Sequence, residues 1–150
     1  MTDKPWKNEP DYLEGSYGDV PWFIVRTSLG HLCGYIVVPK HHPWYSVDVM
    51  LTVDIDVHGG VTWESEHFPG ITGEDTLGER AREITQRFPG KFIGFDCGHY
   101  GDLIPGMLRI GHIPFADEIY RDINYVREEC ERLAMQAIAA IESRMLTSEE

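Results

Sequence analysis

WFIVRTSLGHLCGYIVV, residues 22–38, is the stretch that decides the fold. It holds two apolar runs rich in β-branched and aromatic residues, separated by Leu29-Gly30 and ended by Pro39. Two such runs around a glycine turn predict a β-hairpin. A further apolar run at residues 91–97 predicts another buried strand. We therefore expect an antiparallel sheet of roughly four to six strands.

The C-terminal part of the chain predicts a long helix, because residues 117–145 contain neither Gly nor Pro. Apolar residues recur there at alternating spacings of 4 and 3, the stripe of a helix that buries one face: Ile119, Ile123, Val126, Cys130, Leu133 and Ala137. We expect Asp117 to cap this helix and its first half to cover one face of the sheet. Its second half either packs on the sheet or associates with the same helix of another subunit.

Two weaker patterns complete the predicted fold. Apolar positions within residues 77–88 predict a short amphipathic helix, which begins at Leu77 and is ended by Pro89-Gly90. Residues 1–20 show no periodicity and are expected to form a surface arm. The predicted fold class is α+β: a single domain over residues 21–150, mainly antiparallel sheet covered by a long C-terminal helix, plus one short helix.

Charge and cysteine content restrict the partners. The 150 residues carry a formal net charge of −12, which repels phosphate backbones and anionic lipid, so we expect no duplex nucleic acid and no membrane as partner. Cys33, Cys97 and Cys130 form no C-x-x-C pair, which argues against a disulfide framework and fits a reducing compartment. No apolar run is long enough to span a bilayer. We expect a cytoplasmic protein.

Two glycine-bracketed polar segments hold most of the chemistry: DIDVHGG at residues 54–60 and DCGHYGD at residues 96–102. Residues 51–57 alternate apolar and polar and predict a strand that presents Asp54, Asp56 and His58 on one face. Gly59-Gly60 then allows a tight turn into a returning arm at residues 61–65. Polar residues at such strand ends are frequent binding sites, although an exposed strand face also carries carboxylates without any function.

The chemistry of these segments is open between a binding loop and a metal centre. Asp96, Cys97 and His99 are all metal-competent residue types, yet zinc needs three or four ligands and no standard spacing is present. A lone Cys after an apolar run is more often a buried small hydrophobe. Arg121 and Tyr125, one helical turn apart, are suited to an anionic or planar group, or to a solvated helix face. The expected ligand-binding residues are His58, Gly59, Gly60, Thr62, Asp96, His99, Asp102 and Arg121.

Four short segments resemble a known family: GYIVVP at residues 34–39, HGGVT at 58–62, IGFDCGHYGD at 93–102, and YRD at 120–122 followed by Tyr125-Val126. The chain resembles a family of small proteins encoded by tailed bacteriophages and prophages, whose most specific motif is G-F-D-C-x-H-x-G-D. That family has a small residue where this chain has Tyr100. The resemblance covers residues 34 to 133 and implies a phage context, with no particular reaction.

Three functions are open from the sequence. The leading expectation is a phage-type cytoplasmic binding protein for a small molecule, such as a host nucleotide-like signal, which requires no cofactor and forms homo-oligomers through the C-terminal helix. Known nucleotide-hydrolase and acyl-hydrolase motifs are absent from the sequence, which favours binding over catalysis. The second is a metal-dependent hydrolase that uses His58, Asp96, His99 and Asp102. The third is direct inhibition of a host protein through the acidic surface.

Overall fold

Five antiparallel strands form one sheet in the computed structural model, which describes residues 4–69 and 78–148. The strands are β1 (Tyr12–Tyr17), β2 (Val20–Arg26), β3 (Leu32–Val38), β4 (Trp63–Ser65) and β5 (Lys91–Asp96). Their order across the sheet is β1-β2-β3-β5-β4, and every neighbouring pair is antiparallel. The predicted hairpin is confirmed as β2 and β3, in which Phe23 pairs with Tyr35.

Four α-helices surround the sheet in the described residues. They are α1 (Val49–Thr52), α2 (Glu79–Arg87), α3 (Pro105–Arg109) and α4 (Ile123–Ser148), and a 3-10 turn at Pro5–Lys7 precedes them. The long helix α4 packs against β2 and β3. The sheet, the long C-terminal helix and the short α2 confirm the predicted α+β class. Leu77, where the short helix was expected to begin, lies outside the described residues.

Both faces of the sheet are buried, and each carries its own apolar core. On the α4 side, sheet residues such as Ile24, Ile36 and Phe95 pack against the predicted stripe, of which Val126, Cys130, Leu133 and Ala137 are fully buried. On the opposite side, Phe23 and Phe92 pack with Ala81 and Ile84 of α2. The stripe prediction is thus confirmed from Val126 to Ala137, since the helix buries it on the sheet.

The start of α4 differs from the prediction. Asp122, not Asp117, caps the helix: its Oδ1 accepts a hydrogen bond of 2.8 Å from the backbone N–H of Tyr125. The N–H of Ile123 donates instead to Glu9 Oε2, at 2.8 Å. Ile119 therefore lies before the helix and is half-exposed. The spacing of Ile119 fits the apolar stripe, but the helix begins after it, because the capping carboxylate is that of Asp122.

Two further segments depart from the sequence expectations. Residues 12–17, placed in the expected surface arm, form the edge strand β1, which pairs with β2 along its whole length. Arg26 holds the segment before β1 in place, because its guanidinium forms ion pairs with both Glu9 and Asp11. Within the loop expected after β5, Pro105–Arg109 form the short helix α3, and proline occupies its first turn.

The strand predicted over residues 51–57 is wrong. Residues up to Thr52 belong to α1, and residues 53–57 run extended beside α4 without a partner strand. The Gln136 side chain takes the partner's place, since it accepts from Asp56 N and donates to Asp56 O, each at 2.8 Å. The predicted alternation of burial holds, with Val57 buried and Asp54 exposed. Alternation reports burial on one side and does not require a neighbouring strand.

No helix within residues 4–69 and 78–148 combines the length and the apolar character that crossing a membrane requires.

Candidate functional site

The buried carboxylate of Asp102 is the centre of the candidate site. Its side chain is 1% exposed and accepts hydrogen bonds from His58 Nε2 at 2.9 Å and Arg121 Nε at 2.9 Å. A third donor is the backbone N–H of His99, at 3.0 Å. These donors come from the loop before β4, the segment before α4 and the loop after β5. One carboxylate therefore joins three segments that are distant in sequence.

The loop that carries Asp102 is fixed by its own backbone. Asp102 N donates to His99 O at 2.9 Å, which closes a turn, and Gly101 supplies the positive φ of +92°. Beyond the turn, Ile119 N donates to Gly101 O and Leu103 N donates to Ile119 O, at 2.9 and 2.8 Å. The segment that leads into Arg121 is thereby held alongside the loop.

Asp102 and Arg121 form an ion pair in the folded protein. Burial by itself raises the pKa of Asp102, but the hydrogen bonds from His58 and Arg121 outweigh it and hold that pKa below its ordinary value. The same hydrogen bond raises the pKa of Arg121. The carboxylate is therefore ionised at neutral pH, and its charge is balanced within the cluster.

His58 is held at both ring nitrogens. A carboxylate can only accept, so Nε2 carries the proton that bonds Asp102, while Nδ1 lies 2.8 Å from Tyr125 Oη. Burial raises the pKa of Tyr125, so its hydroxyl stays protonated and can donate to Nδ1. The His58 backbone N–H donates to Glu129 Oε1 at 2.8 Å. The orientation of His58 is thus fixed through both ring nitrogens and through its backbone N–H.

His99 is the imidazole of the site that keeps a nitrogen without a hydrogen bond. Its Nε2 is buried, has no hydrogen-bond partner among the described residues, and lies 3.3 Å from Asp96 Oδ1 outside hydrogen-bonding geometry. The ring lies against Gly59, where a Cβ would come within 2.4 Å of it. Asp96 is itself oriented by Gly98 N at 2.9 Å and Thr62 Oγ1 at 3.3 Å.

The structure brings the expected site residues together, whereas the carboxylates of Asp54 and Asp56 lie apart from them. His58, Asp102 and Arg121 bond directly, and His99 contacts Gly59 and Asp96. Gly60 closes the turn at the edge of this group, and Thr62 reaches it through Asp96. Asp54 is exposed, and Asp56 turns towards Arg132 on α4. Cys97 is buried in the core on the α4 side of the sheet.

A cavity of about 320 Å³ opens beside this cluster. The loop after β5 forms one wall, with His99, Tyr100 and Asp102, and the segment between α3 and α4 forms the other, with Phe115 and Glu118. Tyr100 is 88% exposed and therefore leaves the cavity open. Cavities of this size suit a small molecule.

Three residues at this site were not predicted from the sequence. One is Glu129, which accepts from the His58 backbone N–H. Its place could have been predicted, because Glu129 follows Tyr125 by one helical turn and so lies on the same face of α4. Phe115 and Glu118 lie in a stretch without periodicity, and the sequence held no signal for their place at the cavity.

The described part of the chain provides no set of metal ligands for the metal-dependent alternative. There, no group of three or more His, Cys, Asp or Glu side chains is arranged to hold a metal ion. The lone pairs of Asp102 face His58, Arg121 and a backbone N–H. A cation in this place would have to displace the guanidinium.

A larger and more apolar cavity of about 730 Å³ lies at the opposite end of α4. Residues such as Val38, Phe88, Ile138 and Ile141 line it. It contains none of the glycine-bracketed polar residues, so the chemistry of the chain is concentrated at the smaller cavity.

Comparisons of the chain with protein-family models, with curated proteins and with solved structures found no match.

Proposed function

We propose that this protein binds a small molecule in the cavity beside Asp102 and does not transform it. The observation that carries the proposal is the saturation of Asp102, whose buried carboxylate engages His58, Arg121 and the His99 backbone at once. A histidine–carboxylate pair that acts as a general base directs its second ring nitrogen at the substrate or at a nucleophile. In this protein the second nitrogen of His58 faces the Tyr125 hydroxyl, whose pKa burial raises and which is therefore not an activated nucleophile, so the cluster acts as a rigid wall.

His99 is the imidazole that lines the cavity, and the exposed part of its ring, rather than the buried Nε2, is what a ligand contacts under this proposal. The His99 side chain is 35% exposed, and the loops on either side of it are fixed by backbone hydrogen bonds. A preformed cavity with a few oriented polar groups is the usual form of a small-molecule site. Under this proposal the protein acts in the cytoplasm of a phage host, where it sequesters a small, nucleotide-like signal, and it self-associates through α4.

Calorimetric titration with a panel of nucleoside monophosphates, sugar phosphates and amino acids tests the proposal. We expect at least one compound to bind with a stoichiometry of one per chain and to be recovered unchanged. His99→Ala should abolish that binding, while the matched variant His67→Ala, at an exposed histidine outside the cavity, should retain it.

Two results contradict the proposal. One is the absence of binding across the panel. The other is measurable turnover of a nucleotide or an ester that is lost in His99→Ala, because a catalytic histidine would then have been mistaken for a binding group.

A second candidate function, binding of a host protein, is favoured by exposed apolar side chains on the two segments that line the cavity. Five such side chains lie between residues 100 and 119: Tyr100, Ile110, Ile113, Phe115 and Ile119. Exposed apolar side chains that form a continuous patch often mark protein interfaces. Ile113→Ser should weaken capture of such a partner without affecting small-molecule binding, because Ile113 does not line the cavity.

A further inference from the structure

Two exposed aromatic rings form the mouth of the cavity. Tyr100 is 88% exposed and Phe115 is 54% exposed, although both are large apolar side chains. Their ring centroids lie 6.0 Å apart, with the ring planes inclined by 39°. Aromatic faces that are open to solvent at a cavity are stacking surfaces for planar ligands. The mouth therefore favours a flat ligand.

Glu118 presents a fixed carboxylate to the same cavity. Its side chain is only 7% exposed, and Oε2 accepts from Phe115 N at 3.0 Å and His112 Nε2 at 3.1 Å. These hydrogen bonds lower the pKa of Glu118, so the group is ionised at neutral pH. Both bonds go to Oε2, which leaves Oε1 as an acceptor for a ligand. The bond to Phe115 N also fixes the aromatic mouth relative to the carboxylate.

We propose that this cavity recognises a planar group that carries two parallel N–H donors, stacked on Tyr100 and Phe115 and hydrogen-bonded to Glu118. This inference rests on the proposed binding function and names the chemistry of its ligand. The N1–H and 2-amino edge of guanine has this chemistry, and so does the guanidinium of arginine. The free Oε1 keeps two lone pairs and can accept from both donors, whereas the ring nitrogen of adenine presents a lone pair to it and is repelled.

The charge around the cavity agrees with a donor-rich ligand. Glu118 and Asp102 both line it, and the charge of Asp102 is balanced by Arg121. Among the described residues, the carboxylate of Glu118 has a histidine and a backbone N–H as partners and no Lys or Arg. Its charge favours ligand groups that donate hydrogen bonds or carry positive charge.

Paired titrations identify the source of the planar group. The probes are GMP against AMP, and Nα-acetylarginine amide against its neutral citrulline analogue. If the base is recognised, GMP should bind at least about tenfold more tightly than AMP, the scale of one bidentate contact. If the guanidinium is recognised, the arginine derivative should bind more tightly than the citrulline analogue, which keeps two parallel N–H donors but lacks the positive charge.

Two variants assign the contacts. Glu118→Gln keeps an oxygen for Phe115 N but replaces the acceptor edge, so the preference for GMP or arginine should disappear; Glu128→Gln, at an exposed position on α4, should change nothing. Tyr100→Ser should weaken binding about tenfold through the loss of stacking. Ile110→Ser is its control, since Ile110 is similarly exposed but does not line the cavity.

The outcomes separate this inference from the function on which it rests. Equal affinity for GMP and AMP, with no effect of Glu118→Gln, overturns the inference and leaves small-molecule binding in place. Binding of another panel compound without any dependence on Tyr100 or Glu118 does the same. If no compound of the wider panel binds, the proposed function itself fails.

Discussion

Asp102 matters most at the scale of single residues, because one carboxylate holds three loops. Asp102→Asn keeps the size of the side chain but replaces one carboxylate oxygen by an NH2 group. That group would face the N–H donors of His58 and Arg121. A donor of His58 or Arg121 is then left unpaired in a nearly buried position. We expect the free energy of unfolding to fall by about 2–3 kcal/mol, measured by urea denaturation.

The control is Asp117→Asn, which makes the same chemical change at an exposed position. Equal stability losses in the two variants would contradict the role assigned to Asp102.

Gly59 and Gly60 provide a matched pair of residue-scale variants. Both have positive φ, +69° and +78°, so alanine strains the backbone at either position by about 1 kcal/mol. Only at Gly59 would the new Cβ collide with the His99 ring. We expect a larger stability loss for Gly59→Ala than for Gly60→Ala, together with a displaced His99 ring signal in the NMR spectrum and loss of ligand binding for Gly59→Ala alone. An unchanged His99 signal in that variant would show that the ring does not lie on the glycine.

At the scale of elements, the cap of α4 distinguishes the structure from the sequence prediction. Asp122→Ala removes the side chain that accepts from Tyr125 N and should destabilise the protein by about 1 kcal/mol. Asp117→Ala removes the cap that periodicity predicts and should have little effect. Thermal or urea unfolding of both variants measures the difference, and a larger loss for Asp117→Ala would contradict the observed start of the helix.

His42 links the loop after β3 to the middle of α4 and makes that contact sensitive to pH. It is 2% exposed; Trp44 N donates to its Nδ1 at 2.9 Å, and its Nε2 donates to Ala137 O at 2.8 Å. The folded protein therefore holds the neutral imidazole, and burial lowers the pKa of His42. Below about pH 6.5, His42 becomes protonated in the unfolded chain but stays neutral in the folded protein. The free energy of unfolding therefore decreases as the pH falls below that value.

We expect unfolding experiments at about pH 7.5 and about pH 5.5 to show this loss, with about 1 kcal/mol of it absent in His42→Gln. His41→Gln is the control, because His41 is the exposed neighbour. A pH dependence that is the same in both variants would exclude His42 as its source.

At the scale of the whole molecule, the sequence predicted the parts of the fold that obey one periodicity. The sequence predicts four of these parts correctly: the β2–β3 hairpin, β5, α2 and the buried stripe of α4. In each of them, burial of one face places apolar residues at regular intervals along the sequence. Residues 53–57 were misassigned because Gln136, a side chain, replaced a partner strand. The two polar loops can be located in the sequence. Their contact through Asp102 cannot be predicted, because it depends on hydrogen bonds between residues far apart in the chain, and residue spacing does not report such contacts.

Self-association is the prediction that concerns the molecule as a unit. The stripe of α4 is buried on the sheet, so a second helix could meet only the outer face, where Met135 is 45% exposed. Light scattering coupled to size-exclusion chromatography should show a dimer or larger species, and Met135→Glu should convert it to the monomer. A monomeric mass of the unmodified protein at every concentration would contradict this prediction.

The bond between Glu9 and the first N–H of α4 has a consequence for biosynthesis. Glu9 precedes Ile123 by 114 residues, so a growing chain cannot close this contact until all the intervening residues have been made. Until α4 emerges, the face of the sheet that it covers stays open to water and to other nascent chains. The helix that follows all the other described elements is therefore the one that completes the core on this face of the sheet.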